Sequence, residues 1–342
     1  MLYTIVIPYR DRAAFLPETL ASLPPEAAII LVDNGSTDDS AALCRDFAAT
    51  RPNVRCISQP SGGAAAARNA GLAAVETEWV YFFDSDDVFS APVAFFQWPD
   101  VASYDALDVI CLPTQMERIS ATKSQDNERN SQYSATKSQD NESNSQYSAN
   151  KAQDNESNSQ DTPSTTRLIP RDFRPTASPA DQILISMLAT QTMLLRTAFL
   201  RRIGGWNETL PVWNDWELGL RVLLNAPRLQ WVATSAPYHR IRLHAASLTG
   251  SRFSERATER FLALSAAESL INASPNGVPS SPDAKKLLRA LDLRRGILCG
   301  HLLREHYALT AADKPRTLRA RLLMHYVRLG LRGAWRIARL LY

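Results

Sequence analysis

The hydrophobic pattern of the first 90 residues alternates between two kinds of segment. Short runs of mostly apolar residues are typical of strands buried on both faces of a sheet. The segments between them carry apolar residues at helical spacing, as Phe15, Leu16, Thr19, Leu20 and Leu23 do in the first. Strands that alternate with helices predict a mostly parallel sheet flanked by helices, a Rossmann-like α/β fold. The predicted strands are 2–7, 28–32, 54–58 and 79–83.

Polar residues follow directly after three of these strands. They form Pro8-Tyr9-Arg10, Asp33-Asn34 and Asp84-Ser85-Asp86. The carboxyl ends of parallel strands share one edge of a sheet, and ligands of open α/β sheets bind beyond that edge. Clustered carboxylates repel one another unless a cation lies among them, and Mg²⁺ or Mn²⁺ prefers such oxygen ligands and often bridges to substrate phosphates. Each segment taken alone is equally compatible with an ordinary turn or helix cap.

Taken together, the same residues suit a pocket for a nucleotide diphosphate. Tyr9 offers an aromatic face to a base, and Asp33 can accept a hydrogen bond from a base N–H. Arg68, in the alanine-rich helix that starts near Gly63, can bind phosphate with its planar guanidinium. Asp84 can accept from ribose hydroxyls, and Asp86 can hold a metal on the diphosphate.

Four segments in series resemble the family 2 glycosyltransferases of the GT-A fold. The segments are Ile5 to Arg10, Val32 to Asp38, Ala66 to Gly71 and Phe83 to Asp87. The resemblance implies a metal-dependent, inverting transferase that uses a nucleotide sugar, with Mn²⁺ or Mg²⁺ as cofactor. The nucleotide-sugar site that it implies comprises Pro8, Tyr9, Arg10, Asp33, Asn34, Arg68, Asp84, Ser85 and Asp86.

Two further segments, Phe199 to Glu208 and Trp213 to Arg221, resemble the acceptor half of the same family. By this resemblance Asp215 is the catalytic base, which takes the proton of the acceptor hydroxyl. The alternative from the sequence is that Asp215 caps the helix that follows it. His244 is the predicted second metal ligand, with His239 as the substitute. The acceptor-binding residues that the resemblance implies are Trp206, Asn207, Glu208, Trp213 and Trp216.

A repeat with a period of fourteen residues interrupts the chain between the two halves. Its copies begin at Ser120, Ser134 and Ser148 and consist of Ser, Asn, Gln, Asp, Glu, Lys and Ala with little else. Such a composition buries too little apolar surface to offset the entropy of ordering, so we expect a disordered insertion over about residues 118–165. The predicted catalytic domain therefore spans 1–250, with a nucleotide half (1–115) and an acceptor half (166–250).

The predicted region 251–342 is helical, and its last segment is strongly basic. Between Arg316 and Tyr342 there are seven arginines and no acidic residue. Five of the arginines share one helical stripe, while the apolar residues occupy another face, which predicts a basic amphipathic helix. Such a helix suits an anionic membrane surface. The alternative is a helix docked on the catalytic domain with its arginines in water.

Composition and charge narrow the classes of site, compartment and partner that remain possible. The chain has 342 residues, a formal charge of +3 and four cysteines without metal-ligand spacing. This argues against a zinc site and fits a reducing compartment. No signal-peptide pattern and no apolar run of about 20 residues is present, so we expect a cytoplasmic protein, peripheral at the membrane if the last helix binds it. Nothing in the charge distribution predicts a nucleic-acid partner.

The expected function is transfer of a sugar from a nucleotide sugar, with UDP as the favoured nucleotide, to a hydroxyl of a glycan or lipid-linked acceptor. Such a reaction belongs to the synthesis of a surface polysaccharide. Two alternatives stay open from the sequence: a catalytically silent glycan- or nucleotide-binding protein, and a nucleotidyltransferase. Asp84, Asp86 and Asp215 argue against the first, and the glycine-free Pro8-Tyr9-Arg10-Asp11 segment argues against the second.

Overall fold

A computed structural model of the chain describes residues 3–60, 62–90, 106–118, 167–170, 178–232, 239–243, 252–273 and 282–342. The fourteen-residue repeat and the predicted metal ligand His244 lie outside these residues. So does the short helix that the sequence suggests near 92–98.

The larger sheet has seven strands in the order β10-β6-β9-β4-β1-β2-β3. Its centre is parallel: β1 pairs with β2 and with β4, and β2 pairs with β3. The exception is β9, which runs antiparallel to both β4 and β6. The predicted mostly parallel sheet is confirmed. Its strands are β1 (Tyr3–Tyr9), β2 (Ala28–Asp33), β3 (Val54–Ser58), β4 (Trp79–Phe82), β6 (Val109–Cys111), β9 (Met193–Arg196) and β10 (Leu229–Trp231).

Helices cover both faces of this sheet, because its strands are apolar on both sides. Helices α1 and α2 pack on one face, with Leu16, Leu20 and Cys44 in that core. Helices α3, α5 and α6 cover the other face with residues such as Leu72 and Leu218. The helices are α1 (Leu16–Ala21), α2 (Ser40–Ala49), α3 (Gly63–Ala73), α4 (Pro179–Ile185), α5 (Thr197–Arg202) and α6 (Asn214–Leu224).

A smaller sheet has the order β5-β11-β7-β8. Its strands are β5 (Val88–Phe89), β7 (Thr114–Arg118), β8 (Arg167–Pro170) and β11 (His239–Leu243). Strands β7 and β8 are antiparallel neighbours, so the segments on the two sides of the repeat pair across it. Strand β11 lies between β5 and β7 and brings His239 and Arg242 to the end of β4.

The C-terminal region is helical, as predicted, but it shares a core with the catalytic half. Leu184, Trp216 and Leu220 from α4 and α6 are in one cluster with Leu264, Leu291 and other residues of the C-terminal helices. The boundary at residue 250 therefore separates two parts of one packed unit. The C-terminal helices are α7 (Ala257–Ala273), α8 (Pro282–Arg304), α9 (Leu318–Arg328) and α10 (Ala334–Leu341).

The prediction of one amphipathic helix over 316–342 was wrong. The segment forms α9 and α10, and the break contains Gly330 and Gly333 at φ 78° and 80°, values in the left-handed region that glycine adopts without strain. The face predicted to be apolar is largely docked on α8: Leu323, Met324 and Val327 are buried. This agrees with the alternative in which the segment docks on the rest of the chain.

Candidate active site

A pocket opens at the carboxyl ends of β1 and β4, where the sequence predicted it. The edge of the smaller sheet closes its far side through β11. It gathers residues from six separate segments of the chain. The pocket is lined by Pro8, Tyr9, Arg10, Arg12, Asn34, Ala64, Arg68, Asp84, Ser85, Asp86, Asp87, Gln191, Ile241, Arg242 and Leu243.

Asp84 is fixed by two donors. The Arg68 Nη2 donates to Oδ1 at 2.7 Å, and the Gln191 Nε2 donates to Oδ2 at 2.6 Å. The Arg68 guanidinium also lies 4.5 Å from the centroid of the Trp206 ring, a cation–π contact that fixes its plane. The sequence predicted that Arg68 binds phosphate and that Asp84 binds ribose. In this structure the two bind each other, so a donor phosphate or ribose would meet a preformed ion pair.

Asp86 faces the pocket with an exposed fraction of 19% for its side chain. Its Oδ2 lies 3.8 Å from the Arg12 Nε, a long ion pair that leaves the carboxylate accessible. Its backbone oxygen accepts from the Arg242 Nε, and Arg242 also pairs with Glu18. The backbone of the loop that carries Asp86 is thus held by Arg242, while the Asp86 side chain lines the pocket.

Asp87, the third carboxylate, is buried beneath this loop. Its Oδ2 lies 2.7 Å from the His239 Nε2, and its Oδ1 accepts from the Arg242 backbone N–H at 2.9 Å. The His239 Nδ1 lies 2.8 Å from the Tyr81 hydroxyl, which donates to the Gln191 carbonyl.

Burial governs the charges of Asp87 and His239. It raises the pKa of Asp87 well above its usual range, with the charges of Asp84 and Asp86 adding to the shift, and it lowers the pKa of His239 to about 3. Both shifts favour a pair in which neither group carries a charge. The negative charge of the segment is then concentrated on Asp84 and Asp86. His239, the substitute metal ligand of the sequence prediction, is fully buried and engaged in this pair.

The donor set at the pocket fits a hard divalent cation bound together with a diphosphate. No group of three or more His, Cys, Asp or Glu side chains that could hold a metal occurs among the described residues. Mg²⁺ is commonly held by only one or two carboxylates plus substrate phosphates, so such a cluster is not needed. Asp86 would hold the ion, with Asp84 as its neighbour. His244 cannot be placed, since it lies outside the described residues.

The other predicted nucleotide-site residues differ in their access to the pocket. Arg10 is exposed at its rim, where it pairs with Asp11. Asn34 and Ser85 line it but are mostly buried, and the Asn34 N–H donates to the Tyr9 carbonyl. Asp33 is not among the lining residues, because its Oδ1 accepts from the Ser36 N–H in a local turn.

The prediction that Tyr9 stacks on a base needs correction. The side chain is 3% exposed and belongs to the core beneath β1. Burial raises the pKa of its hydroxyl, as do the neighbouring Cys44 and Asp33. An aromatic ring enclosed in this way has no free face for a base, so Tyr9 lines the pocket without offering a stacking platform.

Asp215 lies in the first turn of α6, which begins one residue earlier at Asn214. Its Oδ1 accepts from the N–H of the next residue, Trp216, at 2.8 Å. Trp213 precedes the helix with φ 56°, an uncommon conformation for a bulky residue, and such strain clusters at functional sites. Asp215 is therefore a residue of the first helical turn, and the cap position belongs to Trp213.

A buried arginine from the C-terminal region lies beside Asp215. The Arg294 guanidinium lies 4.7 Å from the centroid of the Trp213 ring and 5.9 Å from that of Trp216. Burial lowers the pKa of Arg294 to about 10, while the charge of Asp215 acts in the opposite direction. Helix α8 thus contributes a cation to the surroundings of the predicted base.

Two of the residues predicted to bind an acceptor sugar are core residues. Trp206 and Trp216 are each 2% exposed, and the Trp216 Nε1 donates to the Gln182 carbonyl. The prediction that these two rings stack on sugar faces therefore does not fit the structure. Trp213 is half-buried, and Asn207 and Glu208 lie on an accessible loop, where Glu208 accepts from Asn69.

We call the pocket lined by Asp84 and Asp86 the donor pocket. It adjoins the surroundings of Asp215. The Arg68 Nη1 lies 3.5 Å from the Asn214 Oδ1, so one arginine connects Asp84 with the residue before Asp215.

Sequence comparison identifies the family. A family model described as glycosyl transferase family 2 matches residues 4–203, more than half of the chain. The chain belongs to this family. An uncharacterized glycosyltransferase, EpsJ of Bacillus subtilis strain 168, is 31% identical over 113 residues, which cover 32% of this chain and 33% of EpsJ.

Other curated relatives are matched over similarly short stretches. The minor teichoic acid biosynthesis protein GgaA of Bacillus subtilis strain 168 is 31% identical over 99 residues, or 26% of this chain and 22% of GgaA. The match to each of these two relatives covers a third or less of the relative's length.

Solved structures share the GT-A fold with this family member. S. aureus TarS 1–349 in complex with UDP-GlcNAc superposes with a TM-score of 0.52 at 15% identity, covering 99% of this chain and 90% of that one. The mannosyltransferase PcManGT of Pyrobaculum calidifontis, in complex with GDP-Man and Mn²⁺, gives 0.50 at 14% identity and covers 98% and 82%. At these identities the likeness establishes the fold alone.

Sequence reasoning missed several residues of the site. Asp87 was visible as the third carboxylate of its run, and Arg242 is a strand residue that reaches Asp87 and Glu18 only in the folded chain. Gln191 and Arg294 carried no local signal, because each reaches the site from a distant element. Arg12 follows β1 two residues after Arg10, but its ion pair with Asp86 depends on the tertiary fold.

Proposed function

We propose that this family 2 glycosyltransferase moves a sugar from a nucleotide-diphosphate sugar, with UDP as the favoured nucleotide, to a hydroxyl of a glycan or lipid-linked acceptor. The proposed reaction is a single displacement with inversion at the sugar carbon. One observation supports it most: the accessible Asp86 and the paired Asp84 lie in one pocket that adjoins Asp215 through Arg68 and Asn214.

Asp215 is the proposed base. Its carboxylate takes the proton of the acceptor hydroxyl as the oxygen attacks the sugar carbon, and the nucleotide diphosphate departs on the opposite side. Asp215 is half-buried beside the buried Arg294, whose positive charge lies next to the proposed base.

Asp86 is the proposed metal ligand, with the neighbouring Asp84 oriented by Arg68 and Gln191. A divalent cation bound there supplies charge neutralisation for the departing diphosphate. Arg10 and Arg12 at the rim are within the same pocket and add positive charge beside the phosphates. The crowding of negative charge on Asp84 and Asp86 supports a cation at this position.

We further propose a role in the synthesis of a surface polysaccharide, in line with the teichoic acid relative GgaA. The four free cysteines fit a reducing, cytoplasmic compartment. Across the described part of the chain, every helix is too short or too polar to cross a lipid bilayer.

A thermal-shift panel tests this proposal. UDP, GDP, CMP, TDP and ADP are each added with and without Mn²⁺, because a ligand that binds only the folded state raises the unfolding midpoint. We expect stabilisation by one diphosphate that depends on metal and is lost in Asp86→Ala. Absence of a shift with all five at millimolar concentration would contradict the proposal and favour a silent binding protein.

A further inference from the structure

Helix α9 is apolar on two opposite sides. One side packs on α8 through buried Ala320, Leu323, Met324 and Val327. The other side carries Leu318, Leu322 and Leu329, with exposed fractions of 72%, 59% and 75%. At about 100° per residue these three leucines form one stripe opposite the docked side. We call them, with the arginines described next, the α9 outer stripe.

Packing does not require this second apolar side. A helix at the surface of a globular protein needs one apolar stripe, toward the core, and its opposite face is normally charged or polar. Single exposed apolar residues are ordinary, but three leucines on one stripe, with the exposed His325 between Leu322 and Leu329, give α9 a second, mostly apolar face that indicates an interaction site.

Arginines flank the outer leucines on both sides. Arg321 and Arg328 lie on one side of the stripe and Arg319 on the other, by the same helical geometry. Within the described residues no carboxylate pairs with these three, whereas Arg316 and Arg339 pair with Glu268 and Asp181. The segment 314–342 contains no acidic residue at all. The exposed side of this segment therefore carries uncompensated positive charge around an apolar centre.

The positive charge beside the leucines indicates which kind of partner this surface binds. A second copy of the chain, related by two-fold symmetry, would bring the same arginines against one another and be repelled. An anionic lipid surface offers both complements at once, since the acyl boundary receives leucines and the headgroup phosphates receive arginines.

We propose that the α9 outer stripe lies on an anionic lipid surface. Leu318, Leu322 and Leu329 enter the boundary between headgroups and acyl chains, and Arg319, Arg321 and Arg328 contact lipid phosphates. The surface is not the one that the sequence predicted, because the apolar face proposed there is docked on α8. The inference extends the proposed function by naming the surface that would bring the site to a lipid-linked acceptor.

Point variants of the full chain test the proposal, because removing 314–342 would also uncover the α8 surface on which α9 packs. Sedimentation is measured with vesicles of phosphatidylcholine alone and of phosphatidylcholine with about one-third phosphatidylglycerol. We expect the chain to prefer the anionic vesicles and Leu318→Ser/Leu322→Ser/Leu329→Ser to bind them at least about tenfold more weakly. The matched control is Leu262→Ser, which changes an exposed leucine of α7.

The arginines are tested separately. Arg321→Gln/Arg328→Gln should weaken binding to the anionic vesicles by about fivefold for each charge removed, since each contributes about 1 kcal/mol near such a surface. Binding to phosphatidylcholine alone should not change. Arg45→Gln/Arg289→Gln removes two exposed arginines elsewhere and should leave binding to both kinds of vesicle unaltered.

Three results would overturn the proposal: no sedimentation of the unaltered chain, equal sedimentation of the triple leucine variant, or a dimer in solution that the leucine variant converts to a monomer. The last would assign the surface to a second copy. The nucleotide-induced thermal shift is measured on every variant and should be retained. Lipid binding without any nucleotide shift would contradict the proposed function and leave this inference standing.

Discussion

The donor pocket and the surroundings of Asp215 are built in different ways, although they adjoin. In the pocket, Asp84 is held by charged and amide donors, and Asp87 by an imidazole and a backbone N–H. Around Asp215 the neighbours are two indole rings and one buried guanidinium.

The two parts also differ in how far apart in the sequence their residues lie. The acidic residues of the pocket follow β4 and need only the local chain to be near one another. The environment of Asp215 depends on α8, which begins 67 residues after it and is packed in a shared core. A site can therefore combine a half encoded in short motifs with a half assembled by tertiary packing.

Substitution of the base should produce the largest effect. In Asp215→Asn we expect turnover to fall by about 10²–10⁴-fold, because an amide cannot accept the proton of the acceptor hydroxyl. Initial rates of nucleotide release with a competent acceptor measure this. Asp46→Asn, the same change at an exposed position of α2, is the matched control. Near-normal turnover of Asp215→Asn would remove Asp215 from the role of base.

Arg294 tests whether the C-terminal region belongs to the site. Arg294→Met keeps a flexible chain beside Trp213 and Trp216 but removes the charge, and we expect turnover to fall by about ten- to a hundredfold through misplacement of the helix start. The KM for the nucleotide sugar should change little, since the pocket does not touch Arg294.

The exposed Arg289→Met on the same helix is the control for this substitution. Unchanged turnover in Arg294→Met, with the fold intact by circular dichroism, would restrict α8 to a structural role.

Substitution of Gln191 tests the donor pocket. Its amide donates to Asp84 at 2.6 Å, and its backbone carbonyl accepts from Tyr81. Gln191→Leu removes the amide and leaves the backbone bond. We expect the metal-dependent nucleotide affinity to weaken by about tenfold, the low end of the range of about 1.5–3 kcal/mol for a hydrogen bond to a charged group. Isothermal titration measures the change. A larger loss in turnover than in affinity would assign Gln191 to the transfer step.

We expect the smallest effect from a substitution that disturbs the docking of α9 on α8. A methyl group added at Gly300 would lie 2.5 Å from the Val327 Cβ and 2.6 Å from the Met324 carbonyl oxygen. Gly300→Ala should therefore destabilise the fold by about 1–3 kcal/mol, although alanine favours a helix by about 1 kcal/mol. Chemical denaturation measures this. A gain in stability would mean that α9 is only loosely docked.

The central sheet and the acidic loop could be predicted from the sequence because they depend on local patterns. Consecutive apolar residues gave the strands, and the position of Asp84 and Asp86 after β4 gave the pocket. The ion pair between Arg68 and Asp84 could not be predicted, since each side chain also suited a substrate group.

Burial was the other feature that the sequence left open. The motifs around Trp206 and Trp216 resemble the acceptor half of the family, yet whether an indole faces solvent or the core depends on helices that pack from far along the chain. The break at Gly330 and Gly333 is an instance in which a helical pattern persists across a turn.

Binding of the active diphosphate to two variants tests the account most directly. Isothermal titration with Mn²⁺ compares the unaltered chain with Asp86→Ala and Asp215→Asn. We predict that Asp86→Ala loses metal-dependent binding while Asp215→Asn binds within about twofold of the unaltered chain, because only the former residue lies in the donor pocket. Equal loss in both variants, or full binding by Asp86→Ala, would contradict the division of the site into a donor pocket and a base.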